Sequence, residues 1–180
     1  PETARALVMY RYHTMPGAIE NAKLNGFKGS QYPWESADTG VETTPKWTPD
    51  MKVRIWTGEE EIQITADVAY GILTYFTATG DLDFFLTYGA EIVLNTARFW
   101  RSRLEYNEAS NRYEMNSVIG PDEFHQHVNN SVYTNWLAQW NLNKAIEIYC
   151  WLKNENREAF SRLTAQLSLH DEEVETWQQV

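Results

Sequence analysis

Apolar residues recur at helical spacing along most of the chain, and the places where that spacing fails are as informative as the places where it holds. Ala6, Leu7, Met9 and Tyr10 open an amphipathic helix that breaks around His13-Thr14-Met15-Pro16-Gly17, because proline disfavours helix in the residue before it. A second helix is expected from Ala18 to about Asn25. From Gly26 to Arg54 no period of either kind survives. Gly26, Gly29, Gly40, Pro33, Pro45 and Pro49 punctuate a segment whose run Tyr32-Pro33-Trp34-Glu35 is too aromatic for a floppy linker, so an ordered loop is predicted.

Helical spacing then returns. Glu59-Glu60-Glu61 is expected to supply the acidic first turn of a helix running through Val68, Ile72, Leu73, Tyr75 and Phe76 to Gly80. Asp81 is a suitable N-cap for the next helix, which carries Phe84, Phe85, Tyr88, Ile92, Val93, Phe99 and Trp100 to about Arg103 and forms a hairpin with the one before. Leu104, Tyr106, Tyr113 and Met115 flank a polar turn, as in a short β-hairpin. A polar loop from Ile119 to Asn130 leads into a long helix with Trp136, Leu137, Trp140, Ala145, Ile146, Tyr149 and Leu152, then helices near Asn156 to Gln166 and from Asp171. Seven or so helices, joined alternately by long motif-bearing and short plain connections, predict an all-α toroid of helical hairpins with its site built by the long loops.

Composition narrows the function classes. The 180 residues suffice for one domain with a core, and 43% hydrophobic with 22% charged residues is ordinary for a folded chain. The 8 Trp and 10 Tyr can stack on sugar faces while offering N–H or O–H groups, or can simply fill a large core. A net charge of -10 without a basic face argues against nucleic acid as a partner. No run of 18 apolar residues and no basic-then-apolar leader occurs, so no membrane partner is expected and a cytoplasmic location is. Cys150, the single cysteine, excludes an internal disulfide and is expected to be a small buried hydrophobe among Tyr149, Trp151 and Leu152. The chain opens on Pro1-Glu2-Thr3 without an initiator Met, and Glu172 to Val180 reads as a helix cut off before a stop signal, the pattern of a fragment.

The chemistry-bearing segment is Gly120-Pro121-Asp122-Glu123-Phe124-His125. Glu123, flanked by Pro121 and Phe124, is the acid candidate: a partly desolvated carboxyl holds its proton near neutral pH. Asp122 is suited to hydrogen-bonding the loop backbone. The plain alternative is that Asp122-Glu123 caps a turn and His125 bonds a carbonyl. His125-Gln126-His127 lacks the i, i+4 geometry of helical zinc ligands, so no metal is expected, and neither a nucleophile elbow nor a phosphate-cradling glycine loop occurs.

In order and spacing, Tyr10-Arg11-Tyr12-His13, the string from Gly29 to Gly40, Ile55-Trp56-Thr57-Gly58-Glu59, and Val118 to His125, followed by Asn129-Asn130 and Tyr133-Thr134-Asn135, resemble glycoside hydrolase family 65 over nearly the whole chain. The resemblance implies a partial (α/α)6 barrel, truncated at both ends, for residues 1–180. It also implies inverting phosphorolysis of an α-glucoside disaccharide to β-glucose 1-phosphate and a free acceptor. In these terms Glu123 matches the general acid, Trp34 and Glu35 match residues lining the glucose and acceptor subsites, and Thr57 lies on a loop near the acceptor. His125, Asn130 and Tyr133 fall in matching strings as further substrate-binding candidates.

An inverting cleavage by phosphate needs one acid, since the nucleophile is already anionic. A hydrolase would need a base roughly 6.5–9.5 Å away, for which Glu35 or Asp38 are candidates. Inorganic phosphate is thus the expected co-substrate, with no cofactor, and a homodimer is a candidate assembly of the full-length enzyme. The family's upstream sandwich domain, its Trp-Asp glucose loop, its Lys-Gln pair and its phosphate-binding loop have no counterpart here, and Gln63 stands where many members have His. The Pro45-Lys46-Trp47 and Arg54-Ile55-Trp56 strings look closer to the kojibiose and glucosylglycerol branch than to the maltose branch. The alternatives are a hydrolase of the same family and a non-catalytic glycan-binding helical domain.

Overall fold

The computed structural model describes residues 2–180. Its elements, in chain order, are α1 (Glu2–His13), α2 (Met15–Leu24), α3 (Thr57–Glu60), α4 (Ile64–Thr79), α5 (Leu82–Phe84), α6 (Ala90–Arg103), β1 (Glu105–Asn107), β2 (Arg112–Glu114), α7 (Val132–Glu155), α8 (Arg157–Leu167) and α9 (Asp171–Trp177). A π-helical turn, Phe85–Gly89, joins α5 to α6 without a break.

Local chemistry sets most boundaries. At the expected break, Thr14 Oγ1 donates back to the carbonyl of Tyr10 at 2.9 Å, and Pro16 sits in the first turn of α2, where its missing N–H costs nothing. The second helix therefore starts at Met15, three residues before the expected Ala18. α4 ends on Gly80, which takes a left-handed conformation (φ 65°) and donates its N–H to Phe76 O at 2.8 Å. Asp81 caps α5 as expected, with Oδ1 accepting from Phe84 N at 3.0 Å.

α6 is the central helix. Ile92, Val93, Leu94, Ala97, Phe99 and Trp100 are each at most 1% exposed. They pack against α7 on one side and α4 on another, while α8 and α9 close over a third flank. Burying the Trp100 indole leaves a polar N–H that must be satisfied, and Nε1 donates to Asn141 Oδ1 at 3.1 Å. Arg98 ties the last two helices to this core. Its Nε and Nη2 reach both carboxyl oxygens of Glu173 at 2.7 and 2.8 Å, and Nη1 and Nη2 donate to the carbonyls of Leu167 and Ser168 at the end of α8.

The irregular segment between α2 and α3 is ordered, as predicted. It is braced by isolated β-bridges Ser36–Glu42 and Trp47–Arg54. It crosses the start of α2 so closely that a Cβ on Gly40 (φ 77°) would lie 2.2 Å from Thr14 O. The expected hairpin is also present, with β1 and β2 antiparallel and Tyr106 opposite Tyr113.

Two expectations fail and a third is refined. Glu59-Glu60-Glu61 does not open the long helix: Glu59 and Glu60 belong to the separate turn α3, and Glu60 and Glu61 are buried. The helix through Phe84 and Phe85 runs unbroken to Arg103 as expected but contains the π turn; both rings are 1% exposed, and Phe85 stacks on Phe76 at 4.2 Å. Cys150 is exposed rather than buried, because it falls on the solvent face of α7 with Gln139, Asn143 and Glu147. Among the described residues no helix is long and apolar enough to cross a membrane.

Candidate active site

Two loops and α3 meet at one end of the helical layer. The acid-bearing loop leaves the hairpin, is pinched shut by a bridge between Val118 and Val128, and returns to α7. Asn130, in a left-handed conformation (φ 55°), pins its base: Oδ1 accepts from Met115 N at 3.0 Å and the Asn130 N–H donates to Met115 O at 2.7 Å. Inside the loop Asp122 plays the backbone role foreseen for it. Its Oδ1 accepts from Phe124 N at 3.0 Å and its Oδ2 pairs with His125 Nδ1 at 2.6 Å. The backbone N–H and the imidazole together hold the Asp122 carboxyl below the usual carboxylate range.

Glu123 lines an open cleft of about 500 Å³ with Arg54, Trp56, Thr57, Pro121 and Phe124 among its walls. Trp56 carries the Arg54 guanidinium 4.8 Å from its ring centroid, and Arg54 Nη2 is fixed by Glu59 Oε1 at 2.6 Å. The cleft therefore combines an indole face, a cation, the Thr57 hydroxyl and a carboxyl, groups suited to the faces and hydroxyls of a sugar. Phe124 does not shield Glu123. It is 95% exposed, because in a loop with no helical or strand period the next side chain is not held against its neighbour.

The carboxyl that is desolvated is Glu61. It is 3% exposed. Oε2 accepts from Gln63 Nε2 at 3.3 Å, while Oε1 has no hydrogen-bond partner among the described residues. Burial pushes the Glu61 carboxyl up to about 7, the charge of Glu123 adds to the rise, and the Gln63 amide opposes it. Gln63 thus keeps the hydrogen-bonding capacity expected of a neutral amide and spends it on this acid.

The remaining candidates lie around the cleft rather than in it. Trp34 and Glu35 sit on the neighbouring loop, arranged by Glu42, whose Oε2 accepts from Trp34 N at 2.7 Å and whose Oε1 accepts from Glu35 N at 3.3 Å. Asn21 in turn holds Glu42, its Oδ1 accepting from Glu42 N at 3.1 Å. This loop reaches the cleft through α3: a Cβ on Gly58 would fall 2.7 Å from Thr44 Cβ and 3.2 Å from Glu42 Cδ, so only glycine allows that approach. His125 is turned to Asp122, and Tyr133 donates to Asp67 Oδ1 at 3.4 Å, with burial raising the Asp67 carboxyl. Asn21, Glu42, Glu60 and Glu61 escape sequence reading because nothing in their spacing separates a buried acid or amide from a surface one. Among the described residues no cluster of His, Cys, Asp and Glu could hold a metal ion.

Two relatives align along the chain. A kojibiose phosphorylase of Caldanaerobacter subterraneus subsp. tengcongensis is 58% identical over 183 aligned positions, covering 100% of this chain and 24% of the relative. A kojibiose phosphorylase of Halothermothrix orenii is 52% identical, covering 98% and 23%. The chain therefore spans about a quarter of the length of these relatives. A solved structure of a candidate kojibiose phosphorylase from human microbiome superposes with a TM-score of 0.83 at 24% identity, over 99% of this chain and 24% of that one, a match in fold that bears out the helical-hairpin toroid. The model of the glycosyl hydrolase family 65 central catalytic domain matches residues 1–180, and with these identities the chain belongs to glycosyl hydrolase family 65.

Proposed function

We propose that the protein carrying this chain is an inverting phosphorylase acting on an α-glucoside disaccharide of the kojibiose type. The observation that carries this reading is the 52–58% identity to kojibiose phosphorylases along the chain, with Glu123 placed on the wall of the cleft. A phosphate oxygen attacks the anomeric carbon from one face while the bond to the acceptor oxygen breaks on the other. The Glu123 proton passes to that leaving oxygen, giving β-glucose 1-phosphate and a free sugar acceptor. No cofactor is required, and phosphate is the co-substrate.

Phosphorolysis is favoured over hydrolysis by the high identity to phosphorylases. Glu35 and Asp38 are exposed on the neighbouring loop and do not line the cleft with Glu123.

The test is glucose 1-phosphate formation from kojibiose by the complete enzyme, with and without phosphate, beside its Glu123→Gln variant. Phosphate-dependent product that falls about 10²–10⁴-fold in the variant is the expected result. Free glucose released at the same rate without phosphate would replace the phosphorylase reading by a hydrolase.

A further inference from the structure

Glu60 touches the acid-bearing loop at both of its stems. Its backbone carbonyl accepts from Ile119 N at 3.1 Å, just before Gly120. Its side chain takes the other stem: Oε2 accepts from His127 N at 2.9 Å and Oε1 pairs with His127 Nδ1 at 2.5 Å. The carboxyl is buried, with Glu60 only 7% exposed. His127 is held in a left-handed backbone conformation (φ 55°), and its ring meets the Trp56 indole edge to face at 4.8 Å. Glu60 therefore links α3, which carries Thr57, to the two ends of the seven-residue span 120–126 that holds Glu123.

Within that span the structure offers little other support. Residues 121–127 are exposed, and the internal bonds of Asp122 run only to its own neighbours Phe124 and His125. A loop so loosely held from within depends on its stems for the position of whatever it presents. A left-handed histidine costs backbone energy, which persists only where surrounding contacts over-determine it, and the two bonds to Glu60 supply those contacts.

We propose that Glu60, acting through His127, is a positioning residue for the proton donor: it fixes the height of the Glu123 loop above α3, and so the distance from the Glu123 carboxyl to the glycosidic oxygen. This rests on the reading of Glu123 as the acid. The role is separable from general support of the fold, because a misplaced acid harms only reactions that need a proton. Kojibiose must have its leaving oxygen protonated, whereas α-glucosyl fluoride expels a leaving group that needs little such help.

The experiment compares phosphorolysis of kojibiose and of α-glucosyl fluoride by the complete enzyme and its Glu60→Ala, Glu60→Gln and Glu123→Gln variants. Glu60→Ala is expected to lower kcat on kojibiose by about 10²-fold, with KM changed less than about 3-fold and the fluoride rate nearly unchanged. Glu60→Gln, whose amide oxygen still accepts from His127 N, should recover most of the loss. Should Glu60→Ala fail to fold, His127→Phe keeps a ring against Trp56, removes Nδ1 and is read in the same way. Equal losses on both substrates, or none on kojibiose, would overturn the positioning role. Glu123→Gln must itself spare the fluoride while losing kojibiose; if it hits both equally, the acid assignment fails independently of Glu60.

Discussion

Three consecutive acids, Glu59, Glu60 and Glu61, show how much one residue's surroundings decide. Glu59 is exposed and pairs with Arg54 and Lys46, Glu60 is turned into the stems of the acid loop, and Glu61 is buried beside Gln63. The Glu61 carboxyl, raised from its ordinary value of 4.5 to about 7, has a definite signature. Folding favours its protonated form, so between those two values the folded state binds more protons than the unfolded one. The associated stability is fully present below about pH 4.5 and is lost as pH rises through about 7. Infrared difference titration should show a protonated carboxyl disappearing near neutrality, absent in Glu61→Gln. In Glu123→Gln the same transition should move to lower pH, because one cause of the rise is removed. An unmoved midpoint in Glu123→Gln would mean that the two acids do not sense each other.

Elements were legible from sequence where one face is buried and the other wet. Asp81 as a cap, Thr14-Met15-Pro16 as a break and the Tyr106–Tyr113 hairpin follow from local chemistry, and the structure shows them in place. What could not be read locally depends on a partner distant in sequence. The side of Cys150 follows from its helical spacing to Asn143 and Glu147 rather than from its apolar neighbours, whereas the burial of Glu60 needs the loop 67 residues further on. The candidate site was legible as strings but not as a surface: Glu123 and Thr57 share the cleft, whereas Trp34, Glu35, His125, Asn130 and Tyr133 do not line it.

Arg98 is a long-range tie of the same kind, joining α6 to the α8–α9 corner through Glu173 and two helix-end carbonyls. Arg98→Met should destabilise by about 2–3 kcal/mol, since charge-assisted bonds are lost and the carbonyls at the end of α8 lose their donor. Hydrogen exchange should localise the loosening to α8 and α9, while global unfolding with no local change would contradict it.

At the scale of the molecule, a concavity larger than the one with the acid lies elsewhere on the helices. A groove of about 680 Å³ between α4 and α7 is walled by Tyr70, Leu73, Phe76, Phe85, Trp140 and Trp151 and is mostly apolar. Tyr70 is 54% exposed, with its ring 5.5 Å from that of Trp140. An apolar surface of this extent favours association. The isolated 180-residue chain is expected to bind an apolar fluorescent dye at this groove and to self-associate with rising concentration. Trp140→Arg should reduce dye binding several-fold, and unchanged binding in that variant would place the dye elsewhere.

Cys150 lies on α7 one residue before Trp151, on the solvent side of the helix that forms one wall of that groove. As the chain's sole thiol, it offers a single handle for an environment-sensitive fluorophore, near the end of α7 opposite to Val132, where the Glu123 loop joins the helix. A label there would act as a local reporter of occupancy. Its emission would respond to a polypeptide seated along α7 and stay silent to sugar entering the cleft, so packing and turnover could be followed in one sample by two independent signals.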